Sequence, residues 1–322
     1  MARETALPAS GATIEPGAGK YSTESRSVGN GILLMLLTMV FFVAADAIAK
    51  YLTRFYPVIE VTWGRFVFHL ALLLPFFAAR RNLTVFRTSR LRLQLTRSLL
   101  QIGSTVLYFS AIALLPLATA TVIAFAQPLL LTVFSVPLLG EKVGMRRWSA
   151  VLIGFLGVLI IVRPGGGAAL GVSHWAMLLP LATAALSAFY QIATRLVASH
   201  DPVETSLFFT AVSGAIVASA AVPFVWRTPD LAGWSLMLAT GVLAGAGHYC
   251  IINAFKRAPA SVLAPFSFTQ LLWATALGYL VFGDLPDGAT LLGALVIVGS
   301  GLYVFYRESV YRESVRRGGA AR

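Results

Sequence analysis

The chain has 322 residues, 57% hydrophobic and 12% charged, with a formal net charge of +12 and a mean hydropathy of +0.79. That composition leaves too little polar surface to cover a soluble globule and places the chain in a bilayer. The single cysteine, Cys250, excludes an intrachain disulfide, and no CxxC or clustered histidines suggest a metal.

Residues 1–29 are polar, rich in Gly, Ser and Thr, and lack an apolar stretch before a cleavage site, so a disordered cytoplasmic tail and no signal peptide are expected. A spanning helix needs about 20 mostly apolar residues. Ten such stretches follow, at roughly 30–49, 58–79, 93–115, 117–139, 148–163, 173–196, 203–225, 232–255, 260–282 and 287–306. The fifth is short enough to be a thin peripheral helix unless it extends into its flanks. Gly165 to Gly167 lack a following Lys and Ser/Thr, so 164–172 reads as a connector and not as a phosphate loop. At the end YRESV occurs twice before Arg316 and Arg317, giving a basic cytoplasmic tail over 307–322.

The ten stretches form one five-span unit repeated in tandem, 30–163 and 173–306. Lys50 and Pro57-Val58 recur as Arg195 and Pro202-Val203, an offset of 195 − 50 = 145. Pro116 recurs as Pro259, which aligns Phe125 with Phe268 and Gln127 with Gln270 at 259 − 116 = 143. Gly140-Glu141 recurs as Gly283-Asp284, again at 143. An odd unit repeated in tandem crosses the bilayer in opposite senses, so the two copies are expected to be inverted. Loop charges agree. With a cytoplasmic N-terminus, 20 of the 25 Lys and Arg fall in inside segments, which puts both termini in the cytoplasm. The loop GEKVGMRRW after the fourth span is basic, while its counterpart GDLPDGA after the ninth has no cation. The net charge is thus mostly topological, and no nucleic-acid partner is expected.

Charged groups inside a span cost about 2.5 to 3.5 kcal/mol on insertion scales and normally face protein or a wet cavity. Asp46 and Lys50 lie four apart on the first helix, within reach of an ion pair, either snorkelling at the outer interface or presenting a cavity acid. Arg65 needs a partner, which is Asp46, Glu60 or an anionic group on a substrate. Trp63 reads as an interfacial belt residue. His69 is one turn beyond Arg65. His248 lies deep in the glycine-rich eighth span GVLAGAGHYC, where Gly241, Gly245 and Gly247 allow close approach of a neighbour and leave His248 and Tyr249 near the packed centre. Tyr108, Gln127, Tyr190, Gln191, Asn253 and Gln270 add amides and hydroxyls from five helices, a set suited to a flat, polar-edged ligand or to helix-helix contacts. Pro128 beside Gln127 opens the fourth span and frees backbone carbonyls. The asymmetry of Asp46 and Arg65 against Gln191 and Thr210 is where cargo should be decided.

Ten spans in two halves, a proline turn between third and fourth, a Gly-Glu or Gly-Asp after the fourth and a glycine-rich fifth resemble the EamA-type transporters of the drug/metabolite transporter superfamily. Asp46 and Lys50 before YPxxE and Arg65 resemble members associated with riboflavin or S-adenosylmethionine uptake. The resemblance implies a bacterial inner-membrane carrier that moves a small organic metabolite by alternating access. An exporter in the same fold is the alternative, and a membrane-embedded enzyme or lipid flippase the rival class. No catalytic cluster, cofactor or ATPase motif is expected, and the chain is read as a monomer or homodimer in the lipid bilayer, driven by a gradient or by exchange.

Overall fold

The computed structural model describes residues 18–79, 83–141, 143–163 and 174–319, and these contain twelve α-helices and no strand. The helices are α1 (Ala18–Leu52), α2 (Val58–Ala79), α3 (Leu91–Leu114), α4 (Leu117–Ala124), α5 (Gln127–Leu139), α6 (Met145–Val162), α7 (Leu178–Val197), α8 (Val203–Ala221), α9 (Leu231–Arg257), α10 (Ala260–Ser267), α11 (Thr269–Phe282) and α12 (Gly288–Gly319). Among the described residues eight stretches are long and apolar enough to cross a membrane, with α4 and α5 counted together as Leu117–Leu139. Leucines at 152, 156, 272, 280 and 295 are more than half exposed, as a lipid-facing surface requires. The molecule is a multi-pass, all-helical membrane protein.

Two expected features change. Residues 18–29, expected in a disordered tail, are helical and continue into the first span, whereas 307–319 prolong α12 as a helix running out of the last stretch into the basic tail, as the sequence suggests. The fifth stretch gains three residues at its start to give the 18-residue α6. The expected connector lies almost wholly outside the described residues.

The fourth span is broken, and the chemistry of Pro128 explains why. Its ring clashes with the carbonyl of Ala124, four residues back, and it has no N–H to donate. The helix therefore stops at Ala124 and restarts at Gln127, placing Pro128 in a first turn where the missing donor costs nothing. The stretch expected to be the ninth span also breaks, with Phe268 between α10 and α11, although here Pro265 precedes the break. Phe125 and Phe268, the residues at the two breaks, touch with ring centroids 5.3 Å apart.

Gly140 and Gly283 adopt left-handed backbone, φ 66° and 74°, where a Cβ is disfavoured. Each lets the helix end fold back: Gly140 N–H donates to Val136 O and Glu141 N–H to Ser135 O, while Gly283 and Asp284 donate to Tyr279 O and Gly278 O. The acidic residue is thereby aimed back along the bundle.

Helix packing interleaves the halves. α1 lies mainly along α9, and α3 along α7; α2 packs on α9, and α8 on α3; α11 packs on α1, and α5 on α7. Each pair maps onto the next when α1 exchanges with α7, α2 with α8, α3 with α9 and α5 with α11. α2 meets α8, and α6 meets α12. The last contact is a glycine seam: a Cβ on Gly293 would fall 2.7 Å from the Gly157 carbonyl oxygen, and one on Gly157 would fall 3.0 Å from that of Gly293.

Candidate functional site

The centre of the bundle is built by α1, α2, α3 and α9. Arg65 on α2 donates to Asp46 on α1 at 3.3 Å, both largely buried. The Arg65 guanidinium also lies 5.5 Å from the centroid of Phe109 on α3. Tyr108 hydrogen-bonds to Thr121 at 2.9 Å and borders Asp46 and Arg65. The expected Asp46–Lys50 pair does not form, because partners from other helices win. Lys50 instead donates to the Ile112 and Leu115 carbonyls at 2.9 and 2.6 Å and pairs with Asp284 at 3.5 Å. Nor does Glu60 serve Arg65. Its Oε2 accepts the Arg227 backbone N–H at 3.0 Å, tying the start of α2 to the loop before α9.

A turn deeper, His69 and His248 face each other with ring centroids 5.3 Å apart. The Ala244 carbonyl accepts from His248 Nδ1 at 2.8 Å, which assigns the proton to that nitrogen, and Phe42 meets the ring edge-on at 5.2 Å. His69 Nε2 is buried and has no hydrogen-bond partner among the described residues. The glycines of α9 allow this approach, since a Cβ on Gly241 would fall 2.9 Å from the His69 backbone nitrogen and one on Gly247 would fall 2.5 Å from the Phe42 ring. Tyr249 departs from expectation. It is 51% exposed and packs against Phe76, since the position after His248 turns about 100° round the helix.

The remaining expected residues divide. Gln127 opens α5 beside the Phe125–Phe268 contact, its Nε2 buried without a partner among the described residues, and Gln270 is half-buried in the first turn of α11. Tyr190 reaches the interior and accepts from Arg97 at 2.9 Å. Gln191 is exposed and lines a cleft of about 130 Å³ with Pro128, Thr132, Ser135, Glu141 and Arg195. Asn253 stays apart from this group: it donates to the Tyr249 carbonyl and accepts from Arg257, all on α9. Trp63 forms an aromatic cluster with Phe68, Trp226 and Trp234 and donates to Ser219.

Arg195 in that cleft pairs with Glu141 at 3.3 Å. In the expected repeat Arg195 corresponds to Lys50 and Glu141 to Asp284. Each bridge joins the end of a long helix, α1 or α7, to the acid that follows a helix restarted after a break, α11 or α5.

Arg97 was not read as an interior cation because the loop-by-loop charge count assigns it to an inside segment. It is one of the most buried large side chains, and its signal was its place among apolar and small residues of LTRSLLQIG.

Buried charges facing a polar interior between interleaved helices define a membrane transporter, and comparison with known proteins agrees. The chain belongs to the EamA-like transporter family, which matches residues 29–163 and 174–306. It is 29% identical to an S-adenosylmethionine uptake transporter of Rickettsia bellii, over 86% of this chain and 94% of that protein. It is 29% identical to a riboflavin transporter of Vibrio cholerae (87% and 94%) and 27% identical to the pseudopaline exporter CntI of Pseudomonas aeruginosa (84% and 93%). A solved structure 23% identical in sequence, with a TM-score of 0.58 over 88% of this chain and 96% of that one, shares the fold. The three relatives named by function are transporters of small metabolites.

Proposed function

We propose that the chain is a ten-span secondary transporter built from two inverted repeats, 30–163 and 173–306, that carries a small organic metabolite through a site between them. The observation that carries this reading is the meeting of Phe125 and Phe268. Residues in the same register of two copies touch one another where the copies are related by a twofold axis between them, and the exchange of helix contacts supports the same axis. Transporters of this build place substrate at the midplane beside broken helices. Asp46, Arg65, Tyr108, His248, Gln127 and Gln270 line that region in this reading, with Tyr190 and Gln191 from the second half. Asn253 lies closer to the cytoplasmic end.

In this reading the membrane is the bacterial inner membrane, and the loop charges support cytoplasmic termini. Lys50–Asp284 then lies at the periplasmic end and Arg195–Glu141 at the cytoplasmic end. Rocking of the halves about the central axis opens one pair while the other stays closed. The relatives favour a polar-edged heterocycle such as S-adenosylmethionine or riboflavin, and the exporter among them keeps the outward direction as a second reading.

Uptake by proteoliposomes tests the proposal. Saturable, competable flux is expected, and Gln270→Ala and His248→Ala lower it without loss of expression. A flux that rises linearly with concentration removes the carrier reading, and wild-type kinetics in both variants remove the central site. A thermal-shift screen against flavins, nucleosides, amino acids and S-adenosylmethionine identifies the cargo, since ligands that bind the folded state raise its stability.

A further inference from the structure

The Arg195–Glu141 and Lys50–Asp284 pairs differ in how fully they are used. The Lys50 ammonium is saturated, because the Ile112 carbonyl, the Leu115 carbonyl and Asp284 take its donors. Arg195 donates through one Nη to Glu141 Oε1 at 3.3 Å, and among the described residues neither side chain makes another hydrogen bond. The rest of the guanidinium fork and Glu141 Oε2 are therefore open to a ligand. Both side chains are accessible, 42% and 38% exposed.

This open capacity borders the cleft of about 130 Å³ between α5, α6, α7 and α12. Thr132 and Ser135 on its α5 wall are buried, and their hydroxyl hydrogens already go to the Pro128 and Thr132 carbonyls at 3.1 and 3.0 Å. Each hydroxyl therefore has only lone pairs left to offer, which suits a cationic donor. On α7, Gln191 stands one turn before Arg195 on the same face, exposed and with no hydrogen bond to protein among the described residues. Arg147 of α6 also lines the cleft. Acceptors thus come from α5 and the acid after it, and charged donors from α6 and α7.

A simple anion entering here meets Glu141 beside the arginine, and a simple cation meets two guanidiniums. A group that carries both charges a carbon apart satisfies both walls. We propose that the cleft binds the zwitterionic head group of an α-amino acid, with its ammonium on Glu141 and the Thr132 and Ser135 oxygens and its carboxylate on Arg195 and Gln191. One ion pair opens and two charge-assisted contacts replace it, so no charge is left unpaired. The volume agrees, since whole drug-sized ligands need about 300 to 1,000 Å³. The cleft admits the head group and leaves the rest of the molecule outside. This inference rests on the carrier reading above and adds the class of group admitted at the Arg195 end.

L-Alanine, small enough for the cleft, is the probe, with L-alaninamide (no carboxylate) and N-acetyl-L-alanine (no ammonium) as its halves. Each is titrated at pH 7 and constant ionic strength against the full-length protein in nanodiscs while the melting temperature is followed. Alanine raises the melting temperature of the wild type clearly more than either half. Arg195→Gln and Glu141→Gln each weaken alanine binding by about tenfold to a hundredfold, the usual loss for a hydrogen bond to a charged group. Lys256→Gln, which opens an exposed ion pair with Glu204 elsewhere, retains the response. If the first two variants fail to fold, Gln191→Glu decides the matter, because it keeps Arg195 and Glu141 but places a second carboxylate one turn from the guanidinium; the alanine response is then lost. Equal responses to the three compounds in the wild type, no response to alanine, or an alanine response that survives in Arg195→Gln or Gln191→Glu overturns the site. Flux in proteoliposomes separates the two levels. Saturable flux of S-adenosylmethionine or riboflavin without an alanine response overturns the cleft assignment alone, and an alanine response with only linear flux of both compounds overturns the carrier reading alone.

Discussion

Lys50 stands 3.5 Å from Asp284, 234 residues later in the chain, and its ammonium group also closes the last turn of α3 through the Ile112 and Leu115 carbonyls. The two roles separate by substitution. Lys50→Met leaves both carbonyls without their donor in a buried setting, which costs about 1 to 3 kcal/mol for each orphaned group. Asp284→Asn keeps both carbonyl acceptors for the ammonium and replaces a carboxylate that is one-third exposed, a smaller loss. The melting temperature in detergent is therefore expected to fall clearly in the first variant and little in the second; equal losses would assign the stabilisation to the ion pair.

Asp46 and Arg65 give a stronger coupling. Asp46→Asn leaves a buried guanidinium uncompensated, a loss of about 3 to 5 kcal/mol for a broken buried pair. The double variant Asp46→Asn with Arg65→Gln is expected to recover most of the stability while transport stays low. Melting curves and proteoliposome uptake on the three proteins measure the two effects separately, and a double variant less stable than Asp46→Asn contradicts the coupling.

Asp201 sets an acid limit on the loop between α7 and α8. Burial pushes its carboxyl up, but hydrogen bonds from Thr88, Gln94 and Ser89 outweigh this and hold it below its ordinary value of 3.8. A depressed folded value means that the stabilisation is fully present above about pH 4 and is lost as pH falls through the folded value. The difference in melting temperature between wild type and Asp201→Asn is thus expected to be constant from pH 7 to 5 and to shrink below pH 4. A gap that widens on acidification refutes the assignment.

The α6–α12 seam depends on absent side chains. Gly293→Val drives atoms into Ile161 and the Gly157 carbonyl, which lie 2.3 and 2.7 Å from where its Cβ would stand. Overpacking of this kind costs about 1 to 3 kcal/mol, whereas Gly299→Val, with nothing within 4 Å of its Cβ, is expected to be nearly neutral. Thermal denaturation of the two variants side by side tests the contrast.

The all-helical, multi-pass membrane architecture was legible in the sequence, because span length and apolar composition are one-dimensional signals. Pro128 announced the break in the fourth span through a local steric rule, and the Gly-Glu and Gly-Asp motifs marked helix ends that need left-handed backbone. Pairing was less legible. Spacing of four on α1 suggested Asp46 with Lys50, yet both found partners on other helices, since a bundle brings groups from all sides and helical neighbours are only two candidates among many. Arg97 was hidden for a related reason: a cation near a span end reads as a topological marker, and only its packing against α7 and α8 reveals that it points inward. Likewise Tyr249 and His248 adjoin in sequence but face opposite environments.

Interleaving has a consequence for biosynthesis. α1 is made first but packs chiefly on α9, and the acid that meets Lys50 is among the last polar residues before α12. At about 5 to 20 residues per second, the first helix spends on the order of ten to fifty seconds in the membrane before Asp284 emerges. Asp46 finds Arg65 19 residues on, and the α3 carbonyls reach Lys50 62 to 65 residues on. These early contacts hold three charged groups in a partly built protein, so loss of Asp46 or Arg65 is expected to tell first on the nascent N-terminal half.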